Sequence, residues 1–260
     1  MDVTRGECSG ADHPKSAPSM HFGAGRLIGS GVVWIIIALL TSFIASALLN
    51  FLIGLGTASM HIPLPLTWYR DNAALFRLAS GIGLQCVLLA SSFRLGRLVG
   101  NGDRAAGLEM NPIRRPILVS GLIALLLCCQ IGIVELARHL GPNAPAIPGP
   151  VHVVSGIQLA ELGLQFVLFV ALAPIAEELF FRGWLWVGLQ RVWGTAPVTI
   201  VTAMAWLGLH FPDGLYRPVV LIPTAVLLTS IRYVGSSVRA SIAGHLAVNS
   251  LLVAWHIIEL

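Results

Sequence analysis

The sequence predicts an all-α, polytopic membrane bundle of seven or eight transmembrane helices, and three observations carry that reading. The 260-residue chain is 56% hydrophobic and only 11% charged, whereas a soluble domain carries roughly 25% charged residues. Its mean hydropathy is +0.82. Apolar runs of the ~20 residues needed to span a bilayer recur along the chain, separated by loops that hold most of the arginines.

Residues 1–26 are polar and rich in Gly, Pro, Ser and Ala, and are expected to form a disordered tail. A cleaved signal peptide does not fit, because the apolar run after Arg26 is too long and lacks a clear cleavage motif. No Asp, Glu, Lys or Arg occurs over residues 27–69, which places the first span near Leu27–Leu55. A loop with Pro63, Pro65, Trp68, Tyr69 and Arg70 follows, its aromatics suited to a membrane interface. The second span is expected at Ala73–Phe93 and the third at Ile117–Ala137.

Between them lie Arg94, Arg97, Arg104, Arg114 and Arg115 against Asp103 and Glu109. This most basic loop belongs in the cytoplasm by the positive-inside rule. We therefore expect an integral protein of a bacterial inner (plasma) membrane with its N-terminus in the cytoplasm. The loop Arg138–Gly156 is Pro- and Gly-rich, nearly uncharged, and expected outside. A long helix should run from Ile157 to Trp193 with an interruption at Pro174, its tryptophans Trp184, Trp186 and Trp193 at the interface. Spans near Val198–Phe211, Pro218–Tyr233 and Val238–Ile258 complete the chain. Three regions result: the tail 1–26, N-terminal transmembrane helices over 27–150, and a C-terminal helical core over 151–260.

The net charge of +4 is spread over loops rather than gathered on one face, so nucleic acid is not an expected partner; the lipid bilayer is. Cys8, Cys86, Cys128 and Cys129 show no CxxC spacing. A disulfide framework or thiolate metal site does not follow from them, and they read as small packing residues.

Chemistry points to the stretch Ala173-Pro174-Ile175-Ala176-Glu177-Glu178-Leu179-Phe180-Phe181-Arg182. Only 12 acidic residues occur in the chain, and two adjoin here among apolar neighbours. An ionisable group at membrane depth costs at least ~2.5–3.5 kcal/mol and by default marks function. Glu178 and Arg182 are i,i+4, with Glu first, the better order for an ion pair. Glu177 points about 100° away and is expected to remain free as a general base. A buried ion pair locking two helices accounts for Glu178 and Arg182 but not for Glu177.

Two further polar sites follow. One is Trp206-Leu207-Gly208-Leu209-His210, whose His alone would read as a core residue. The other is His245-Leu246-Ala247-Val248-Asn249, whose i,i+4 pair alone would read as interhelical glue. Together they set three polar sites on three of the C-terminal apolar segments.

The ordered pattern EExxxR, aromatic-xxxH and HxxxN over about 73 residues resembles the CPBP family. This group comprises the CAAX prenyl endopeptidase type II and bacteriocin-processing (Abi) intramembrane proteases. The resemblance covers roughly Gly156–Trp255. It implies that Glu177 and His210 activate the attacking water, that His245 and Asn249 stabilise the oxyanion, and that Glu178 and Arg182 support them. The family's second motif usually opens with Phe where this chain has Trp206, an exchange expected to lie away from the proton chemistry.

The implied activity is intramembrane endopeptidase cleavage of a membrane-associated protein or peptide substrate. No cofactor is expected. A divalent metal such as zinc is the alternative, with Glu177, His210 and His245 as candidate ligands, although no HExxH motif is present. A proton- or cation-coupled transporter subunit and a non-catalytic scaffold are the competing readings; against the first, no inverted repeat is visible.

One tension is legible. Glu177 precedes Arg191 by 14 residues, ~21 Å of straight helix, whereas His245 follows Val238 by seven, ~10 Å. For these groups to meet, the long helix must deviate near Pro174, Gly183 or Gly188.

Overall fold

The computed structural model describes residues 23–59, 73–139, 162–211 and 214–258, in which helices are joined by short turns and irregular segments with no strand among them. The expected tail up to residue 22 and the loops at 60–72 and 140–161 lie outside the described residues. Nine helices follow in order among the described residues. They are α1 Ala24–Ser59, α2 Ala73–Val99, the short α3 Arg104–Leu108, α4 Pro116–His139, α5 Leu162–Trp193, α6 Thr195–Gly208, α7 Tyr216–Val220, α8 Ile222–Gly235 and α9 Val238–Ile258.

Five of these, α1, α2, α4, α5 and α9, contain a stretch long and apolar enough to cross a membrane. Helices α6 and α8 are apolar but have 14 residues each, so at ~21 Å they fall short of a ~30 Å hydrocarbon core. Five helices thus have the length of a span where seven or eight spans were expected, and α6 and α8 are shorter apolar helices. The segment expected at Pro218–Tyr233 is divided, because Leu221 separates α7 from α8.

Helix α1 turns Val32, Ile36, Leu40, Phe43 and Phe51 outward, the surface expected of a span bathed in lipid. Its inner side meets α2 and α5 through small residues. An added Cβ on Gly83 would touch Ala45 and the Thr41 carbonyl, and one on Gly31 would touch Trp184. Small residues of this kind let apolar helices approach closely where lipid supplies no hydrophobic driving force.

Helix α5 is the centre. Ala173, Pro174 and Ala176–Leu189 are buried, and Phe180, Phe181, Trp184 and Trp186 fill the core around them. Trp184 and Trp186 are therefore core residues, not the interfacial ones the sequence indicated; Trp193 alone is exposed. Flanking charge could not reveal this, since the stretch 176–189 of α5 is surrounded by protein rather than lipid. Cys86 and Cys128 are exposed free thiols and do not pack as expected.

Several chain ends meet at one end of the bundle. Arg191 at the end of α5 donates to the Val99 carbonyl at the end of α2, 2.6 Å. The Arg114 amide bonds the Gly235 carbonyl, and the Val238 amide bonds the Glu109 carbonyl. The arginine-rich loop is thus tied to the C-terminal helices. It also reaches inward: Leu108 is fully buried, and a Cβ on Gly183 would lie 3.1 Å from its side chain. Helix α9 consequently starts level with Gly183 rather than with Arg191. Glu177 lies six residues above Gly183 and His245 seven above Val238, ~9 and ~10 Å, which removes the mismatch in depth.

The insertion depends on glycine. A Cβ on Gly107 would sit 1.8 Å from the Gly96 carbonyl oxygen and 2.8 Å from the Gly100 nitrogen. The obstruction is backbone and cannot rotate aside. We expect Gly107→Ala to destabilise the protein by about 3 kcal/mol or more, read as a lowered melting temperature in detergent; a wild-type melt would show that this contact does not hold the loop in place.

Candidate active site

Helix α5 changes its hydrogen-bond pattern twice where the polar residues lie. Val167–Leu172 is a π-helix, Ala173–Glu177 is α-helical, Glu178–Leu185 is again a π-helix and Trp186–Trp193 is α-helical. Wide turns of this kind are frequent at functional sites. The expected deviations at Pro174 and Gly183 are both present; Gly188 lies in regular helix.

Each wide segment leaves one carbonyl without a backbone donor. In the first, the Ala173 amide bonds the Leu168 carbonyl five residues back. The next such bond would join residue 174 to the Phe169 carbonyl, but proline has no N–H. Asn249 supplies the donor from α9, its Nδ2 2.7 Å from the Phe169 oxygen. In the second, the Trp186 amide reaches the Phe181 carbonyl. The return to i−4 bonding then skips the carbonyl of Arg182, and Arg232 Nε on α8 donates to it at 2.8 Å. Arg232 also pairs with Glu109 and lies with its guanidinium carbon 5.1 Å from the Trp186 ring centre.

Glu178 and Arg182 form the expected ion pair, 3.0 Å between Oε1 and Nη1, with both side chains fully buried. The same Oε1 accepts from His245 Nδ1 at 2.9 Å. Since an ionised carboxylate only accepts, Nδ1 carries the proton, and Nε2 is a donor only when the ring is cationic. Glu178 thus orients His245 as carboxylates orient histidines in catalytic triads.

Glu177 is not free as the sequence indicated. Its Oε1 accepts from Gln85 Nε2 at 2.8 Å and its Oε2 from Trp206 Nε1 at 2.7 Å. Both donors are neutral, and each carboxylate oxygen keeps acceptor capacity beyond them. Gln85 was missed because it stands on α2, 92 residues away. The available signal was a lone Gln between Leu84 and Val87 in an apolar span, the kind of residue expected to have a purpose.

Trp206 joins the parts. Besides its bond to Glu177, its ring lies 4.6 Å from His210 and 5.7 Å from His245 between centroids, and 5.0 Å from the Arg182 guanidinium carbon. The exchange of Phe for Trp is therefore felt at Glu177: phenylalanine has no N–H to give it. His210 is half-buried, and its Nδ1 donates to the Trp206 carbonyl at 3.0 Å, leaving Nε2 available. Glu177 and His210 are neighbours of one indole and are not hydrogen-bonded to each other. Asn249 stands one turn beyond His245, committed through one amide hydrogen to Phe169.

The zinc set Glu177, His210 and His245 is not assembled. Among the described residues no three His, Cys, Asp or Glu side chains are grouped to hold a metal ion.

Residues 160–251 match the family model of the type II CAAX prenyl endopeptidase Rce1-like proteins. The matched stretch is about a third of the chain. The match contains Glu177, Glu178, Arg182, His210, His245 and Asn249 and points to intramembrane CAAX-type protease activity. Gln85 lies outside the Rce1-like segment. No curated protein and no solved structure matches the chain.

Removing Arg182 would leave Glu178 buried with only His245. We expect Arg182→Ala to cost ~3–5 kcal/mol and to lower membrane accumulation and melting temperature. Normal accumulation and melting with complete inactivity would instead place Arg182 among the groups that act on substrate.

Proposed function

We propose that this protein is an intramembrane endopeptidase that hydrolyses a peptide bond of a membrane-associated protein or peptide with water activated by Glu177 and His210. The observation that carries this reading is a buried carboxylate held by two neutral donors and sharing one indole with two histidines. A structural carboxylate would more simply be neutralised by a cation, as Glu178 is.

In the reaction, Glu177 takes one proton from water while the oxygen attacks the scissile carbonyl, whose π pair moves to its oxygen. A cationic His245, balanced by Glu178, and the second amide hydrogen of Asn249 donate to that oxyanion, each such donor contributing roughly 2.7–4 kcal/mol. The proton on Glu177 passes to the leaving amine as the C–N bond breaks, with His210 Nε2 as an additional proton acceptor beside the same indole. No step is routed through a metal, because the candidate ligands do not converge. The Arg-rich end of the bundle supports an N-terminus in the cytoplasm and a bacterial inner membrane as the location.

Glu177→Gln is expected to fold. Gln85 can turn its amide so that its carbonyl accepts from the introduced amide, while Trp206 keeps its acceptor. The variant cannot take a proton from water, and turnover should fall ~10²–10⁴-fold. The assay uses quenched fluorescent CAAX peptides, with and without a prenyl group on the cysteine, and purified full-length protein. Wild-type turnover by the folded Glu177→Gln variant would end this reading.

Chelators should leave wild-type turnover unchanged; loss on chelation with recovery on added zinc would replace the Glu–His water with a metal-bound one.

A further inference from the structure

Gln85 is 6% exposed and belongs to the N-terminal helices, yet its side chain ends on Glu177. A carboxylate accepts and does not donate, so the Gln85 nitrogen must face it. The amide carbonyl is then directed elsewhere, and Gln85 Oε1 is buried with no hydrogen-bond partner among the described residues. Buried polar atoms are nearly always paired; a lone acceptor beside a general base matches a water molecule that has two hydrogens to place. A packing role would be met as well by an apolar side chain of the same length, without an unpaired oxygen.

We propose that Gln85 is a positioning residue for hydrolysis: its amide N–H, with the Trp206 indole N–H, holds the Glu177 carboxylate in one orientation, and its amide carbonyl accepts a hydrogen from the attacking water. The inference rests on the hydrolytic reading above. One water hydrogen goes to Glu177; the other stays on the nucleophilic oxygen, bonded to Gln85, as the new C–O bond forms. The oxygen lone pair is thereby aimed by two acceptors fixed on different helices. The site is then completed from outside the segment that carries the family motifs.

The test is Gln85→Met in the full-length protein, a substitution that keeps length and packing but neither donates nor accepts comparably. With the fluorescent peptides, kcat should fall roughly 10–100-fold, the scale of a hydrogen bond to a charged group. KM and melting temperature should stay unchanged. Combined with Trp206→Phe, the loss should be smaller than the product of the single losses, because both donors serve one carboxylate.

A wild-type kcat in Gln85→Met, or a loss confined to KM, would overturn the proposal. If Gln85→Met fails to accumulate, Gln85→Asn withdraws the amide by one methylene and should show the same kcat-only loss; full activity there overturns it equally. A spectroscopic arm does not depend on turnover. The infrared carboxylate band lost in Glu177→Gln should shift in the Gln85 variants, and an unmoved band refutes the contact. If wild type cleaves neither peptide while this band shifts, the hydrolytic reading and its attacking water fail, and the contact between Gln85 and Glu177 stands.

Discussion

Helix α5 carries Glu177, Glu178 and Arg182 through apolar surroundings, and its own backbone cannot satisfy every carbonyl it contains. Pro174 has no N–H to offer Phe169, and the return from wide to regular turns passes over Arg182. In a bilayer, where water cannot repair the deficit, an unpaired carbonyl costs several kcal/mol. Asn249 and Arg232 close these gaps from α9 and α8. The neighbouring helices are therefore tied to α5 by its irregular backbone, and the polar groups they bring are placed by the same bonds.

The two adjacent glutamates answer to different partners. Glu178 is held by Arg182 and His245; losing either leaves a charge buried short of a partner. Glu177, one position along, is held by uncharged donors. The arrangement separates a carboxylate paired with a cation from one held by neutral donors. Trp206 is the junction, in contact with Glu177, Arg182, His210 and His245 together. It is also where this chain departs from the usual aromatic of the family it resembles, and the departure adds a donor at Glu177.

The arginine-rich loop does more than mark a membrane face. By inserting Leu108 beneath Gly183 and bonding the start of α9, it sets the depth at which His245 stands. Glycines 96, 100 and 107 permit that insertion because no Cβ separates the two backbones. A loop in the N-terminal half thus adjusts a distance in the C-terminal half.

The sequence by itself determined the apolar helices, their order and the Glu178–Arg182 pair. Hydrophobic runs interrupted by charge are local properties, and i,i+4 neighbours meet on any helix. It also offered Pro174, Gly183 or Gly188 as the place where α5 must deviate, and wide turns lie just before the first and across the second. Only the tertiary structure decided what Glu177 touches, which tryptophans are core, and where α9 begins. Those are contacts between residues up to 92 positions apart, set by which helix lies beside which. A lone glutamine in an apolar span and an indole in place of a phenyl ring are visible in the chain, but only packing shows that both hydrogen bonds end on one carboxylate.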